Sequence, residues 1–362
     1  MRVVIDAREL CGRPTGVGRY LSGLLDAWAK SHAFTRHDWT LIAPDMPAVA
    51  DRWQARLKIV AGSGGTSWEQ IALPAAARAA SADVFFAPGY TAPLTVTAPL
   101  VLTIHDVSFF AHPEWFSFRE GARRRFLTKW SARRARTVIT DTSFSRSEIV
   151  SHIGIAPSRV KVISLGLTSH DQSAILVRRE PMVLFVGSIF ERRRVDRLIA
   201  AFDAVIARVP DATLEIVGEN RTRQPRLDLD TLRTRTSHPD RIHLHSYVDD
   251  ATLAALYRRA SVFAFLSEYE GFGFTPLEAL RAGVPPLMLD TAVARETCGD
   301  AARYIADAAS NDEIASTIAD LLTNAATRTS LMRNAEAVLS RYDWDRAAAD
   351  TLAVLEEAAV GR

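Results

Sequence analysis

Short apolar runs alternate with longer segments of helical periodicity through the first half of the chain. The runs predicted to be strands are residues 2–5, 40–43, 83–86, 100–104, 137–140 and 161–164. They are β-branched runs without polar alternation, which is typical of strands buried on both faces. Strands that alternate with helices in this way favour a parallel sheet with helices packed against it.

A second alternation of the same kind follows a segment without periodicity. Residues 165–181, LGLTSHDQSAILVRREP, gain Gly, Ser and charge and are interpreted as a linker. Beyond it the pattern predicts an α/β protein with two Rossmann-like domains, over residues 1–170 and 181–342. The second-half strands are predicted at 182–186, 213–217, 242–244 and 262–266, the helices at 195–208, 252–260, 276–281 and, in Ala-rich sequence, 311–358.

Composition excludes several classes of protein. The chain has 362 residues, 48% apolar and 24% charged, which is ordinary for a folded protein of two domains. A net charge of +2 gives no sign of a nucleic-acid partner. Two distant cysteines do not form a disulfide framework or a cysteine zinc site. The N-terminal apolar stretch is too short for a secretory signal and no run could span a bilayer, so we expect the cytoplasm.

Ligands of open α/β sheets bind beyond the carboxyl ends of the strands, so the residues that follow each strand are the candidates for chemistry. After the first strand comes CGRPTGVGRY, whose Gly16 and Gly18 either present backbone amides to a phosphate or sugar or shape a turn. After the strand at 100–104 come His105 and Asp106. There an imidazole could contact a reacting group and the carboxylate could orient it, or the pair could cap a helix.

Arginines follow the first strand of the second domain. Ser188 comes directly after a glycine at the strand end, and Arg192, Arg193 and Arg194 lead into a helix. Guanidinium groups beside a helix N-terminus favour a diphosphate. An arginine run on its own is more often a solvated face.

The sequence SEYEGFGFTPLEALRAG, residues 267–283, carries the strongest signal. It follows a strand and contains Glu270 and Glu278 with seven residues between them, glycines at 271 and 273, and Pro276 at an expected first helical position. One interpretation is a cradle of amides and carboxylates for sugar hydroxyls and phosphates. The other is a capping box, in which Thr275 caps the helix and Glu278 returns to the cap amide.

Together these stretches resemble the retaining, nucleotide-sugar-dependent glycosyltransferases of the GT-B fold, the family-four group with an E-x7-E motif. The resemblance covers nearly the whole chain and includes IDAREL, GRPTGVGRY, FFAPGYTAPL, LTIHDVSFFAHPEWF, ITDTSFSRSEIVSHIGI, VLFVGSIFERRRVDRLIAAF and SEYEGFGFTPLEALRAGVPPL. It implies two Rossmann-like domains that face each other across a cleft, the first binding the acceptor and the second the nucleotide sugar. It also implies that the last helix, residues 343–360, packs back on the first domain.

The resemblance also implies roles for individual residues. Glu270 resembles the family's glutamate that contacts the donor sugar, Glu278 the one that binds the ribose, and His105, with Asp106 beside it, the histidine near the transferred sugar. Arg193 is assigned to the diphosphate with Arg192, although the family commonly has Arg-Lys at this pair. The remaining donor contacts are expected from Gly16, Gly18, Ser188, Tyr247, Val248, Gly271, Phe272, Gly273, Phe274 and Thr275.

The mechanism that the resemblance implies is metal-independent transfer with retention, in which arginines and helix amides stabilise the departing diphosphate. No cofactor is expected beyond the nucleotide-sugar substrate. The D-x-D string at Asp228 and Asp230 lies in an Arg-rich segment and is interpreted as surface. The expected activity is transfer of a hexose, such as mannose, to a saccharide or polyprenyl-diphosphate-linked acceptor in cell-surface polysaccharide or glycolipid synthesis. The alternatives are a sugar-nucleotide isomerase or hydrolase on the same fold, and an inactive nucleotide-sugar-binding scaffold.

A basic amphipathic segment begins at Trp115 and ends at Arg136. It has eight basic residues against one acid, and Phe118, Ala122, Phe126 and Trp130 recur every four residues. One interpretation is peripheral contact with the anionic inner face of the cell membrane. The other is a core helix with a charged outer face, and the sequence does not choose between them.

Overall fold

The computed structural model describes residues 1–12, 15–47, 49–167, 179–223 and 226–360. The chain divides into two compact units, Met1–Thr168 with Tyr342–Arg362 (unit 1) and Ser169–Arg341 (unit 2). Most of the predicted linker, residues 168–178, lies outside the described residues.

Unit 1 is built on a seven-stranded parallel sheet in the order β3-β2-β1-β4-β5-β6-β7. The strands β1, β4 and β5 in its middle are almost wholly apolar and buried, as both faces of the sheet are covered. The strands are β1 (Arg2–Asp6), β2 (Asp38–Ala43), β3 (Leu57–Ile59), β4 (Val84–Ala87), β5 (Leu100–Thr103), β6 (Thr137–Thr140) and β7 (Val160–Val162).

Helices lie between consecutive strands of this sheet, except that β4 and β5 are joined by residues 88–99 without a helix. The longest are α1 and α6, and a π-helical turn, Trp68–Ala72, precedes α4. The helices up to the end of the sheet are α1 (Gly16–Lys30), α2 (Ala33–Arg36), α3 (Asp51–Gln54), α4 (Leu73–Ala79), α5 (Ser108–Ala111), α6 (Phe118–Arg134) and α7 (Ser143–Ile153).

The C-terminal helix of the chain belongs to unit 1. It runs from Trp344 to Val360 and packs against α1, where the Trp28 indole donates a hydrogen bond to the Ala348 carbonyl at 2.8 Å. Its first residue, Trp344, lies against two glycines. A Cβ on Gly23 would lie 2.4 Å from the Trp344 ring, and one on Gly166 would lie 2.3 Å from it. Only residues without a side chain fit at these two positions.

Unit 2 is a six-stranded parallel sheet in the order β10-β9-β8-β11-β12-β13. Stacked Phe185, Phe263 and Phe265 lie in its buried interior. The strands are β8 (Met182–Val186), β9 (Thr213–Val217), β10 (Ile242–His245), β11 (Val262–Phe265), β12 (Pro286–Leu289) and β13 (Arg303–Ile305). The helices, with the C-terminal one that packs on unit 1, are α8 (Val195–Arg208), α9 (Leu229–Thr234), α10 (Asp250–Arg259), α11 (Phe274–Arg281), α12 (Ala292–Cys298), α13 (Asn311–Thr323), α14 (Ala325–Met332), α15 (Ala335–Leu339) and α16 (Trp344–Val360).

In both sheets the order of the strands reverses at the first strand. In unit 1 the neighbours of β1 are β2 and β4, and in unit 2 the neighbours of β8 are β9 and β11. Adjacent loops leave such a switch point in opposite directions, which opens a crevice at the carboxyl ends of the two strands. The α/β class predicted from the sequence is confirmed, and each unit offers one such crevice.

Three short strands escaped the sequence prediction. β3 and β13 have three residues each at the sheet edges and carry Lys58 and Arg303 within them, so no apolar run marks them. β12 begins at Pro286, which is tolerated there because it is the first residue of the strand. Within the described residues, no helix is both long and apolar enough to cross a membrane.

Candidate active site

The crevice of unit 2 begins where β8 and β9 end at paired glycines. Gly187 has a φ of +140°, and a Cβ on Gly218 would lie 2.0 Å from the Gly187 carbonyl oxygen. A Cβ on Gly187 would in turn lie 2.5 Å from Nη1 of Arg193. These glycines let the backbone and an arginine approach each other closely at the strand ends.

Arg193 is held across this crevice by three partners. Its Nε donates to Oε1 of Glu270 at 2.8 Å, its Nη1 donates to the Ser188 carbonyl at 2.9 Å, and its guanidinium lies 5.0 Å from the Phe265 ring centre. Arg192 stacks on Phe190 at 4.4 Å. The two arginines predicted to bind a diphosphate therefore lie at the end of β8, and Arg193 is tied to the glutamate that follows β11.

Arg194, the third arginine of the run, does not join them. It occupies the N-cap position of α8 in a left-handed conformation, with φ +48°. Its side chain pairs with Glu268 and, at 2.6 Å, with Asp307. The three arginines therefore do not form one solvated face, because each has its own partners.

Glu270 is ionised at neutral pH. Burial raises the pKa of its carboxyl, but Arg193 and Arg192 lower it by more, and Ser267 donates a hydrogen bond to Oε1 at 2.9 Å. The pKa therefore lies below its ordinary value. The result is a carboxylate and a fixed guanidinium side by side at a strand end, which is suited to hold both hydroxyl groups and anionic oxygens.

The capping-box alternative for the start of α11 is wrong. Gly273 is the N-cap, with φ +95°, and the helix begins at Phe274 without a side-chain cap. Thr275 and Pro276 therefore lie inside the first turn, so Thr275 cannot cap the helix and Pro276 is not its first residue. The left-handed glycine turns the chain into the helix earlier than the Thr-Pro pair suggested.

The rest of this crevice comes from α11 and the loop before α10. Glu278 lies one turn into α11, is buried, and accepts a hydrogen bond from the Tyr257 hydroxyl at 3.5 Å. Gly271 and Phe272 are buried in the loop that precedes α11. Tyr247, with 72% of its surface exposed, follows β10, and Val248 comes next. The predicted donor-site residues of unit 2 thus all follow strands at the carboxyl edge of one sheet.

In unit 1, Gly16 and Gly18 belong to the first turn of α1 and not to a loop. Thr15 caps this helix by accepting from the Gly18 amide at 3.0 Å, and neither glycine has a positive φ, so the turn-shaping alternative is wrong. A Cβ on Gly18 would lie 2.5 Å from the Glu9 carbonyl oxygen, whereas one on Gly16 would meet nothing within 4 Å. Packing explains the glycine at 18, and only Gly16 faces open space.

His105 is buried at the end of β5, and its partner differs from the predicted one. Its Nδ1 lies 2.8 Å from Oδ2 of Asp141, and its Nε2 lies 2.9 Å from the Pro88 carbonyl oxygen. Asp106 instead accepts from the Tyr90 hydroxyl and from the Ser108 amide, each at 2.8 Å. The prediction that Asp106 orients the imidazole is therefore wrong, because Asp106 is held by Tyr90 and Ser108 while Asp141 contacts the ring.

The pKa values of His105 and Asp141 depend on the contact between them. Burial lowers the pKa of His105, but Asp141, the Pro88 carbonyl and Asp106 together raise it by more, so it lies above its ordinary value. Burial raises the pKa of Asp141, although His105 opposes this. Asp141 directly follows β6 and therefore carries the same signal in the sequence as His105, a polar residue at the carboxyl end of a strand.

A second buried acid lies at the end of β1. Oδ2 of Asp6 is 3.1 Å from Nε of Arg8, which also pairs with Glu69. Burial raises the pKa of Asp6 to about 6, although Arg8 opposes this. The carboxyl edge of unit 1 therefore holds acids whose protons are retained to a higher pH than usual.

The basic helix α6 turns its aromatic residues outward. Phe118, Phe126 and Trp130 are exposed by 84%, 57% and 45%, and the buried side chains of the helix are Gly121, Leu127, Thr128, Ser131 and Ala132. The interpretation of a core helix with a charged outer face is wrong, because the aromatic residues expected to face the core are exposed.

The D-x-D string has a local structural role. Asp228 caps α9 by accepting from the Thr231 amide at 3.0 Å, and Asp230 pairs with Arg233. In the described part of the chain, no group of three or more His, Cys, Asp or Glu side chains could hold a metal ion.

Comparison with known proteins matches both halves of the chain. The model of glycosyl transferases group 1 matches residues 169–338, and that of Glycosyltransferase Family 4 matches residues 14–171. O-antigen chain mannosyltransferase B of Escherichia coli is 26% identical over 266 residues, which cover 70% of this chain and 68% of the relative.

Other matches are shorter or concern the fold alone. Mannosylfructose-phosphate synthase of Agrobacterium fabrum is 26% identical over 189 residues, 48% of this chain and 41% of that protein. Among solved structures, sucrose-phosphate synthase from Thermosynechococcus elongatus has a TM-score of 0.78 with 16% identity, over 98% of both chains. With the two family matches, which run from residue 14 to residue 338, these similarities show that the chain belongs to the GT-B glycosyltransferases of the family-four, group 1 type.

Proposed function

We propose that this glycosyltransferase moves a hexose, such as mannose, from a nucleoside-diphosphate sugar to a saccharide or polyprenyl-diphosphate-linked acceptor, with retention at the anomeric carbon. The observation that carries the proposal is the contact between Arg193 and Glu270 at the switch point of unit 2, beside the N-terminus of α11. A cation for the diphosphate and a carboxylate for sugar hydroxyls meet there at 2.8 Å.

In this proposal Arg192, Arg193 and the first-turn amides of α11 stabilise the charge that develops on the departing diphosphate. These groups supply the positive charge, so the transfer proceeds without a metal ion. Glu270 accepts hydrogen bonds from the transferred sugar, and Glu278 accepts them from the ribose. The backbone at Tyr247 and Val248 contacts the base.

Unit 1 supplies the acceptor side of the proposal. His105 acts near the transferred sugar, and the first turn of α1, where Gly16 faces open space, binds the anionic part of the ligands. The relative from Escherichia coli is named for O-antigen chain synthesis, which favours a cell-surface saccharide as the acceptor.

The test is a binding and turnover panel. Thermal shifts with GDP, UDP, TDP and ADP identify the base, because a ligand at one hundred times its Kd stabilises the fold by about 2.7 kcal/mol. Turnover with the matching sugar nucleotide must then release the nucleoside diphosphate and lengthen an acceptor, and NMR of the product gives the anomer. Release of free sugar without an acceptor, an altered monosaccharide, or binding without turnover would each reject the proposal.

Peripheral contact with an anionic membrane, at the inner face of the cell membrane, completes the proposal. At 100° per residue, the exposed aromatics of α6 share an arc of roughly 160° with five cations. The arc consists of Phe118, Phe126 and Trp130 with Arg119, Arg123, Lys129, Arg133 and Arg134. Each cation near an anionic surface contributes about 1 kcal/mol, and aromatic rings favour the interface between headgroups and acyl chains.

Vesicle cosedimentation tests this contact. We expect the chain to bind phosphatidylcholine vesicles that contain phosphatidylglycerol. We expect it not to bind neutral vesicles, and to dissociate from the anionic vesicles at high salt. Changing Phe118, Phe126 and Trp130 to Ser should weaken binding at least tenfold. The matched control changes Met46, Ile59 and Val360, which are also exposed and apolar, to Ser. Equal binding of the two triple variants would reject the membrane contact.

A further inference from the structure

The imidazole of His105 has a hydrogen-bond acceptor at each nitrogen. On one side is the Pro88 carbonyl oxygen at 2.9 Å, and on the other is Oδ2 of Asp141 at 2.8 Å. A carbonyl oxygen cannot donate, so Nε2 must carry a proton. The contact between Nδ1 and Asp141 needs one further proton between the two atoms.

That further proton belongs on the ring. The ordinary pKa of an imidazole is about 6.5 and that of an aspartic acid about 3.9, so the ring is the stronger base. Asp141 also directly precedes Thr142, the N-cap of α7, and the partial positive charge at a helix N-terminus favours an ionised carboxylate. Both effects favour an imidazolium beside a carboxylate.

The surroundings leave the ring little freedom. The rings of Tyr20 and Tyr90 meet it edge to face, with centres at 4.9 and 5.7 Å, and Ser145 donates to the His105 carbonyl at 3.0 Å. The titratable groups that face the imidazole are Asp141, Asp106, Tyr90 and Tyr20; Arg124 acts on Tyr90. Oδ1 of Asp141 is buried and has no hydrogen-bond partner among the described residues, so the contact of this carboxyl group with His105 is made through Oδ2 alone.

We propose that Asp141 is a positioning residue that holds His105 doubly protonated and fixed in orientation, so that the ring serves the transfer as a fixed cation and not as a general base. The inference rests on the proposed function for its catalytic meaning. The protonation state itself can be measured without turnover.

The direct experiment is nitrogen NMR of the full chain labelled with ¹⁵N-histidine, with the His105→Gln variant to assign the signal. We expect both ring nitrogens of His105 to be protonated at pH 7.5 in the wild type. In Asp141→Asn we expect a neutral ring at that pH. A neutral ring in the wild type, or an unchanged ring in Asp141→Asn, would overturn the inference.

The kinetic experiment is the pH profile of turnover. A ring with an ordinary pKa is only about 3% protonated at pH 8. We therefore expect the kcat of Asp141→Asn to fall roughly 30-fold at pH 8 and to recover towards the wild-type value at pH 5.5, with the donor KM within twofold. Asp141→Glu retains the charge and should rescue most of the loss. Asp38→Asn, an exposed acid at the start of β2, is the matched control and should leave the profile unchanged.

A double-variant comparison separates positioning from general damage. In the His105→Gln background, Asp141→Asn should cost no further activity, because the group on which it acts is gone. Loss of activity in Asp141→Asn to the same extent at every pH would overturn the inference. If the wild-type ring is doubly protonated but no donor and acceptor pair gives turnover, the protonation inference stands and the proposed function fails.

Discussion

The two units share a sheet topology but treat their buried carboxylates in opposite ways. At the carboxyl edge of unit 2, Glu270 lies between two arginines, and its pKa is lowered despite burial. At the same edge of unit 1, burial dominates and raises the pKa of Asp6 and of Asp141. The difference teaches that position at a strand end does not set the chemistry of an acid. The balance between burial and the neighbouring charges does: two arginines act on Glu270, whereas Asp6 shares Arg8 with Glu69.

The two edges therefore differ in their buried groups: a carboxylate beside arginines in unit 2, and carboxyl groups with raised pKa values in unit 1. Unit 2 brings Arg192 and Arg193 to the acid from one connection, after β8. Unit 1 collects its groups from the ends of β1, β4, β5 and β6. Variants of residues in each unit test this comparison.

Removal of Arg193 should have the largest effect. Arg193→Ala leaves the Glu270 carboxylate without its cation and the diphosphate without a donor, so we expect kcat to fall about 10² to 10³-fold, as for loss of one donor to a developing charge. Arg193→Lys keeps charge but loses the planar fork and should be intermediate. Steady-state kinetics measure both. Arg208→Ala, an exposed arginine of α8 paired with Asp312, is the control, and an equal loss there would contradict the assignment.

The attachment of α16 makes unit 1 sensitive to a single methyl group. Gly166→Ala places a Cβ 2.3 Å from the Trp344 ring, so we expect a destabilisation of about 1–3 kcal/mol, the usual cost of overpacking. Calorimetry should show the loss as a lower Tm. The control is Gly65→Ala, whose Cβ would lie 3.4 Å from the Ser63 hydroxyl, and a similar loss there would show that the Trp344 contact is not responsible.

The two glutamates of unit 2 should separate binding from turnover. We expect Glu278→Ala to weaken nucleotide binding roughly tenfold or more, because hydrogen bonds to a charged acceptor contribute about 1.5–3 kcal/mol. Glu270→Ala should bind nucleoside diphosphate nearly as well and lose turnover. Calorimetric titration and kinetics give the two numbers. Wild-type behaviour of both variants would reject the site.

The smallest effect is a pair of pH dependences of opposite sign. Glu270 has a lowered pKa in the folded chain, so it stabilises above its ordinary pKa, and this contribution is lost as the pH falls through the folded pKa. Asp6 has a raised pKa of about 6, so its contribution falls as the pH rises from about 4 to 6. Relative to Glu270→Gln the wild-type Tm should rise as the pH rises through 4, whereas relative to Asp6→Asn it should fall between pH 4 and 6. Parallel trends would contradict the comparison.

Most of the fold was accessible from the sequence. The predicted strands at 137–140, 182–186 and 213–217 have the observed bounds, as does the helix at 195–208. These segments are continuous apolar runs or strongly amphipathic helices, so local pattern and burial agree. The strands that were missed are short edge strands with a cation among three residues, or begin with a proline, and their pairing comes from neighbours distant in sequence.

Pattern and spacing placed most candidate residues at the ends of strands, because a strand end and a glycine-rich loop are local features, whereas Tyr247 and Val248 came from the family resemblance. The tertiary structure alone decided which of them touch. It joined Arg193 to Glu270 across 77 positions of sequence and His105 to Asp141 across 36, and it turned the aromatic residues of α6 outward. The physical reason is that hydrogen bonds and burial depend on strand order in the sheet, and strand order is a property of long-range pairing that no local window of the sequence contains.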